Sequence, residues 1–330
     1  SRLESSPTTL GIDMYGVCNV KPPCVYCDWD TSKAMEGDMV EAPFTRETLA
    51  GWGPLFADAH SLVNCSIGEP FMMKNFDELL DIFGDHGKAL EMTTNGQILT
   101  GRNIEKLLDR DIDLYISLDA ATARTYARLR NDTFEKILEN LRRLIRAKGG
   151  RGGFPRVHLV FMPMRCNVDE LEAFVDLCDA LQVDRLVLRP LNFSEGIALK
   201  WEREGYIFDY PRELLPFEEL IAVSRRAAEL CRERGVPLSD QMDFGVAMEE
   251  MFGSTDPQPE PGPATEPPAE ELVTASLGEE RLPACTEPWS SLYILRRGIH
   301  PCCYGGHPVA TMDEPEAAWN SKIVQEIRSE

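Results

Sequence analysis

From residue 8 to 190 the chain alternates short apolar runs with longer segments whose apolar positions recur every three or four residues. The short runs predict strands over 8–15, 61–66, 89–94, 112–118, 156–163 and 184–189, and helices are predicted near 45–58, 75–84, 102–109, 133–147 and 168–181. In the fourth helix Phe134, Ile137, Leu138, Leu141, Leu144 and Ile145 form a 3.6-period stripe. Gly149-Gly150 ends that helix, and Asn167 or Asp169 is expected to cap the fifth. Repeated β-α units imply an α/β fold with parallel strands and helices packed outside, in a doubly wound sheet or a barrel. Six units suit a partial TIM-like (β/α)6 barrel better than a full eight.

Side chains alternate faces along a strand, so parity separates core from interior. Ile112, Leu114, Ile116 and Leu118 share a face that should meet the helices, which turns Asp113, Tyr115, Ser117 and Asp119 into the barrel. Glu91, Thr93 and Asn95 share a face of strand three, and Arg185, Val187 and Arg189 share one of strand six. Polar interiors near strand C-terminal ends are where this architecture carries chemistry. By the same parity Cys65 should face the helices, whereas Cys166, in phase with His158, Met162 and Met164, points to the cavity. Cys178 and Cys231 fall on apolar helix stripes and read as core.

Beyond 190 the pattern is less regular. Residues 191–253 read as a helical extension with a helix near 217–234, followed by an acidic, Pro-rich linker over 254–284 and a compact Cys-bearing segment, 285–330, with a last helix around 316–329. The net charge of −21 argues against a nucleic-acid partner, whose phosphates require cations. No apolar run approaches the ~18 residues that span a bilayer, and the opening SRLESSPTTL has no apolar signal region. A cytoplasmic location without membrane contact is therefore expected. In that setting the ten cysteines read as metal ligands or packed thiols rather than disulfides.

"CNVKPPCVYC" places Cys18, Cys24 and Cys27 directly after strand one. A structural zinc site takes four ligands, and no further Cys or His follows until His60. Three thiolates on a four-iron cube leave one iron open for an external ligand, so an iron–sulfur site, a zinc site and unliganded thiols all remain readings of the spacing.

The C-x5-C-x2-C loop resembles the cluster loop of radical S-adenosylmethionine (SAM) enzymes, whose usual spacing is C-x3-C-x2-C with an aromatic before the last Cys. Asn19 and Tyr26 match, and two residues are extra. "IGEP" (67–70) resembles the family's GGEP segment, with Ile67 in place of the first Gly. "TTNG" (93–96), "ISLDAATARTYARLRNDTF" (116–134) and "RCNVDELEAFVDLCDAL" (165–181) resemble the segments after strands three, four and five. The resemblance spans about residues 8–190. It implies that Cys18, Cys24 and Cys27 ligate a [4Fe-4S] cluster whose open iron takes the amino and carboxylate groups of SAM. It further implies that Tyr26 lies against the adenine, Glu69 accepts the SAM ammonium, Ser117 and Asn95 bond the ribose, and Arg130 holds the carboxylate.

"CTEPWSSLYILRRGIHPCC" carries Cys285, a strand-like LYIL, a Gly turn and then Cys302-Cys303. With "WNSKIVQEIR" (319–328) it is similar to the SPASM/Twitch domain of the same family, which implies an auxiliary [4Fe-4S] cluster ligated by Cys285 and by Cys302 or Cys303. A zinc knuckle or buried thiols are the alternatives. The resemblance implies reductive cleavage of SAM to a 5′-deoxyadenosyl radical that abstracts a substrate hydrogen, with flavodoxin or ferredoxin as electron donor. Oxidation is the expected outcome, or epimerisation if Cys166 returns a hydrogen atom. Peptide-modifying relatives often carry a leader-binding domain before the barrel, whereas strand one begins here within about eight residues. The expected substrate is therefore a small polar molecule of sugar or cyclitol type, with a precursor peptide as the alternative. A non-enzymatic electron carrier or zinc module is the reading of another class.

Overall fold

The structure, a computed structural model, describes residues 6–12, 17–27, 52, 55, 58–65, 68–73, 76–191, 200–242, 290–295, 298–301, 308–310 and 315–329. Six parallel strands run β1 (Thr9–Ile12), β2 (Ser61–Asn64), β3 (Ala89–Thr94), β4 (Ile112–Ser117), β5 (Arg156–Phe161) and β6 (Arg185–Leu188), adjacent in chain order. Helices α1 (Phe76–Asp85), α2 (Gly101–Leu107), α3 (Ala123–Leu129), α4 (Phe134–Lys148) and α5 (Leu171–Leu181) connect them. Every residue of the α4 stripe is buried, and Gly149 closes the helix in the left-handed conformation (φ 82°). Leu114, Ile116, Leu159 and Leu186 meet Ile137, Leu141 and Phe174 in the main core.

The opposite strand faces form the interior. Gly11, Val63, Glu91, Asp113 and Arg156 lie side by side across five strands, with Thr93, Tyr115, His158 and Arg185 in the row toward the next pleat. The parity expected of β3, β4 and β6 therefore holds. Cys65 does not follow expectation: it lies on the interior side, where a methyl group on Gly11 would come within 2.8 Å of its Sγ. Its phase follows Val63, and Val63 belongs to the interior row. Asn167 caps nothing by its side chain, because Oδ1 accepts from the Met164 amide (2.7 Å) and Nδ2 donates to the carbonyls of Asp119 (2.8 Å) and Met162 (2.9 Å). It ties together the loops that follow β4 and β5.

The sheet extends beyond the six units at both edges. After the hairpin β7 (Lys200–Arg203) and β8 (Tyr206–Asp209), the short α6 (Tyr210–Glu213) and α7 (Phe217–Arg234), strand β9 (Leu238–Asp240) pairs parallel with β6. At the other edge β10 (Ser291–Leu295) pairs parallel with β1, and β11 (Gly298–His300) turns back antiparallel on β10. The strand expected at LYIL is thus present, and with β11 it joins the barrel sheet. Among the described residues the end strands β11 and β9 are not paired with each other. The predicted last helix is two short ones, α8 (Pro315–Trp319) and α9 (Lys322–Ile327), divided where Ser321 accepts from the Val324 amide. Of the helix expected near 45–58 only residues 52, 55 and 58 are described, with Trp52 and Leu55 buried in the main core, and the linker over 254–284 lies outside the described residues.

Candidate functional site

The cluster loop follows β1 and is fixed at both ends by backbone bonds. The Glu69 amide donates to the Val17 carbonyl (2.8 Å), and the Val25 amide donates to Leu129 (3.0 Å). The loop therefore spans from the segment after β2 to the end of α3, across the C-terminal rim of the barrel. Cys24 is buried, and Cys18 and Cys27 are partly buried. Among the described residues no disulfide joins the cysteines. Arg130 Nη1 approaches Cys24 Sγ (3.4 Å), and Asn95 Nδ2 approaches Cys18 Sγ (3.8 Å). Burial pushes the Cys18 thiol up, reinforced by the Cys24 and Glu69 charges. Among the described residues no three His, Cys, Asp or Glu side chains gather tightly enough for a single metal ion.

Glu69 lies ahead of a single 3-10 turn (Pro70–Met72) and is 1% exposed. Its carboxylate accepts from Thr94 Oγ1 (2.7 Å), the Asn95 amide (2.9 Å) and the Phe71 amide (3.4 Å). Loss of water pushes its carboxyl up to about 7, outweighing those donors and the Arg130 charge. No salt bridge reaches it among the described residues.

Asn95 belongs to an amide chain: its Nδ2 donates to Asn19 Oδ1 (2.8 Å), Asn19 donates to Gln97 Oε1 (3.2 Å), and Gln97 donates to Asn131 Oδ1 (3.3 Å). Ser117 ends β4 on the interior face, half-buried and level with Val160. These two lie on the rim expected of them.

Arg130 is buried and committed in two directions. Nη2 pairs with Asp119 Oδ2 (2.7 Å) while Nη1 meets Cys24, and the Nε has no partner among the described residues. Although burial alone would lower it, the Cys24, Tyr26 and Asp119 neighbours hold the guanidinium well above its ordinary range. Tyr26 donates to Asp119 Oδ2 (2.7 Å), and the Arg130 guanidinium lies 5.4 Å from its ring centroid.

Asp119 is the hub that sequence reasoning left out of the site. It is fully buried, holds φ 58°, and also accepts from the Met162 amide (3.0 Å). Its interior parity was a signal, but its partners lie far away in sequence. Arg203 was also missed: Nη2 donates to the Pro23 carbonyl (2.6 Å), and Nη1 donates to the Arg130 carbonyl. The two-residue extension of the cluster loop is thereby tied to β7.

Cys166 follows β5 and packs with Tyr26, Met162 and Tyr206 around Met164 and Phe208. Its amide donates to Glu213 Oε2 (2.9 Å), and Tyr206 donates to the same carboxylate. Burial first, and then the Glu213 charge, push the Cys166 thiol far up, so that it stays protonated. Cys285, Cys302 and Cys303 lie outside the described residues.

The model of the radical SAM superfamily matches residues 12–178, about half of the chain. The chain belongs to the radical SAM superfamily. As a radical SAM enzyme it uses a [4Fe-4S] cluster and SAM, and the site fits both groups. Three thiols share one rim loop and, among the described residues, a buried carboxylate has no cation and a buried guanidinium nitrogen has no acceptor.

Over 187 residues the chain is 28% identical to the mycofactocin maturase MftC of Mycobacterium tuberculosis, covering 55% of this chain and 45% of that protein. Over 120 residues it is 32% identical to MftC of Mycolicibacterium smegmatis, covering 35% and 29%. The chain thus spans less than half the length of these curated relatives. In fold it is similar to Streptococcus suis SuiB bound to its precursor peptide SuiA (TM-score 0.66, 13% identity, 99% of this chain, 67% of that one). It is also similar to anSMEcpe bound to AdoMet and the Cp18Cys peptide (TM-score 0.61, 13% identity, 97% and 82%). Among the described residues no helix is long and apolar enough to cross a membrane.

Proposed function

We propose that this radical SAM enzyme modifies a peptide. The likeness of 187 of its residues to a maturase supports this reading, against the expected substrate of sugar or cyclitol type. When bound, the cluster and SAM supply a carbon radical able to take hydrogen from an unactivated C–H bond.

The chain's own residues divide the remaining work. Cys18, Cys24 and Cys27 hold the cluster. Glu69, already aligned by Thr94 and the Asn95 amide, receives the SAM ammonium. Asn95 and Ser117 face the ribose. Tyr26 lies against the adenine, anchored through its hydroxyl on Asp119. Arg130 reaches the SAM carboxylate with Nε, because its other nitrogens serve Asp119 and Cys24. The buried rim excludes water from the reacting carbon.

Segment 285–330 forms a SPASM/Twitch-like unit with an auxiliary [4Fe-4S] cluster held by Cys285 and Cys302 or Cys303. The hairpin found just ahead of Cys302 supports it. Reduction comes from a flavodoxin or ferredoxin. Anaerobic reconstitution should give about eight irons per chain, and about four would leave the auxiliary cluster without support.

The protonated Cys166 thiol beside Glu213 favours a second outcome, hydrogen return with epimerisation. One experiment separates these readings. Reconstituted enzyme, SAM and dithionite are incubated in deuterium oxide with each short peptide that sequencing of the gene's surroundings finds encoded there. Loss of hydrogen mass marks oxidation, and gain of deuterium marks epimerisation. An unchanged peptide with unstimulated 5′-deoxyadenosine release rules out the peptide reading.

A further inference from the structure

Within the barrel interior, Arg189 is bonded differently from Arg130 and Arg156. It follows β6 on the parity of Arg185 and Val187, and its amide is anchored on the Phe161 carbonyl (3.1 Å). Its Nε donates to Gln241 Oε1 (2.9 Å), and the guanidinium lies 4.8 Å from the Tyr115 ring centroid. Among the described residues neither Nη1 nor Nη2 has a hydrogen bond or ion pair. Arg130, Arg156 and Arg203 each engage at least one acceptor through these nitrogens.

The nearby carboxylates are occupied. Asp119 serves Arg130, Tyr26 and Met162. Asp113 takes both the Arg156 fork (2.8 and 2.5 Å) and His158 Nε2 (2.6 Å). Glu91 meets the Tyr115 hydroxyl (3.4 Å), whereas Arg189 covers the ring of that residue.

A guanidinium withdrawn from water without a counterion is unfavourable, and burial does weaken its hold on charge. Gln241 and the ring face fix the plane of the guanidinium and leave one edge with two nitrogens open. Such a planar edge matches the two oxygens of a carboxylate. Its position just past β6 puts it on the C-terminal rim, where Asp119 and the cluster loop also lie.

We propose that Arg189 receives a carboxylate of the substrate through Nη1 and Nη2. This deepens the peptide reading and rests on it: the carboxylate is either the C-terminal one or an acidic side chain. Binding there would fix the distance between that carboxylate and the carbon that loses hydrogen.

The test uses the reconstituted full chain with SAM and the arginine reagent phenylglyoxal, read by peptide mass mapping. Arg189 should react, while Arg130, bonded through both Nη nitrogens, should not. N-acetylalanine, N-acetylglutamate α-amide and the neutral N-acetylalaninamide are the competing probes. A carboxylate probe should slow labelling of Arg189 about tenfold at saturation, and the neutral amide should leave it unchanged. Protection by N-acetylalanine identifies the C-terminal source, and protection by the glutamate derivative identifies the side chain. Absence of labelling at Arg189, or equal effects of charged and neutral probes, overturns the proposal. Protection without any change to the encoded peptide keeps the carboxylate site and sinks the peptide reading. A modified peptide with no such protection does the reverse.

Discussion

Two carboxylates, Glu69 and Asp119, are buried on the same rim, and they are stabilised in opposite ways. Asp119 is paired with Arg130 at 2.7 Å and accepts two further bonds, so its negative charge is matched inside the protein. Among the described residues Glu69 has only neutral donors, and burial pushes its carboxyl up to about 7. A charge balanced by the chain serves architecture, whereas Glu69, near Cys18 and without a cation among the described residues, is the carboxylate that the proposed function assigns to the SAM ammonium.

The comparison is broken most severely by Asp119→Asn. Asparagine tolerates the left-handed conformation of residue 119 as well as aspartate does, so the substitution tests charge rather than backbone. Arg130 would remain buried without a counterion, at a cost of about 3 kcal/mol or more in urea unfolding. A cost under about 1 kcal/mol would mean that Asp119 is not needed for charge balance.

Glu69→Gln should leave unfolding nearly unchanged at pH 6 and lower SAM affinity by about 2 kcal/mol or more, read by calorimetry. The pH dependence carries the sign. The folded-state value of about 7 lies above the ordinary 4.5, so the folded protein holds the extra proton between them. Without SAM, stability should therefore fall as pH rises from 4.5 through about 7, and the Gln variant should show no such fall. SAM affinity of the parent should climb over the upper part of that window, because the ammonium favours the ionised form. A flat affinity profile would assign the ammonium to another group.

The smallest effect is expected of Thr94→Val, which removes one donor to Glu69. It should cost about 1 kcal/mol and move the midpoint of SAM binding to higher pH. An unchanged midpoint would show that the Asn95 and Phe71 amides set the Glu69 carboxylate without Thr94.

Much of this contrast is legible in the sequence because strand and helix periods repeat over many residues. The β4 alternation assigns Asp119 to the interior, and the α4 stripe identifies the helix that backs it. Elements with little period are not legible: β9 has three residues and acquires meaning only beside β6. Cys65 misleads because apolar Val63 lines the interior where Gly11 leaves room, so an apolar neighbour does not mark the helix side there. The role of Asp119 depends on Tyr26, 93 positions away, and that of Pro23 depends on Arg203, 180 away. Local pattern carries no record of such pairs.

Gly11 has a consequence for how the chain may be divided. A methyl group there would meet the Tyr293 ring at 2.2 Å, so β1 is shaped to accept an aromatic side chain from residues that arrive almost three hundred positions later. β10 also covers the backbone edge of β1. A fragment ending before residue 290 would carry an unfilled notch and an open parallel edge next to the cluster loop, and it is expected to self-associate through that edge. The C-terminal segment is thus the seal of the barrel, whatever else it carries.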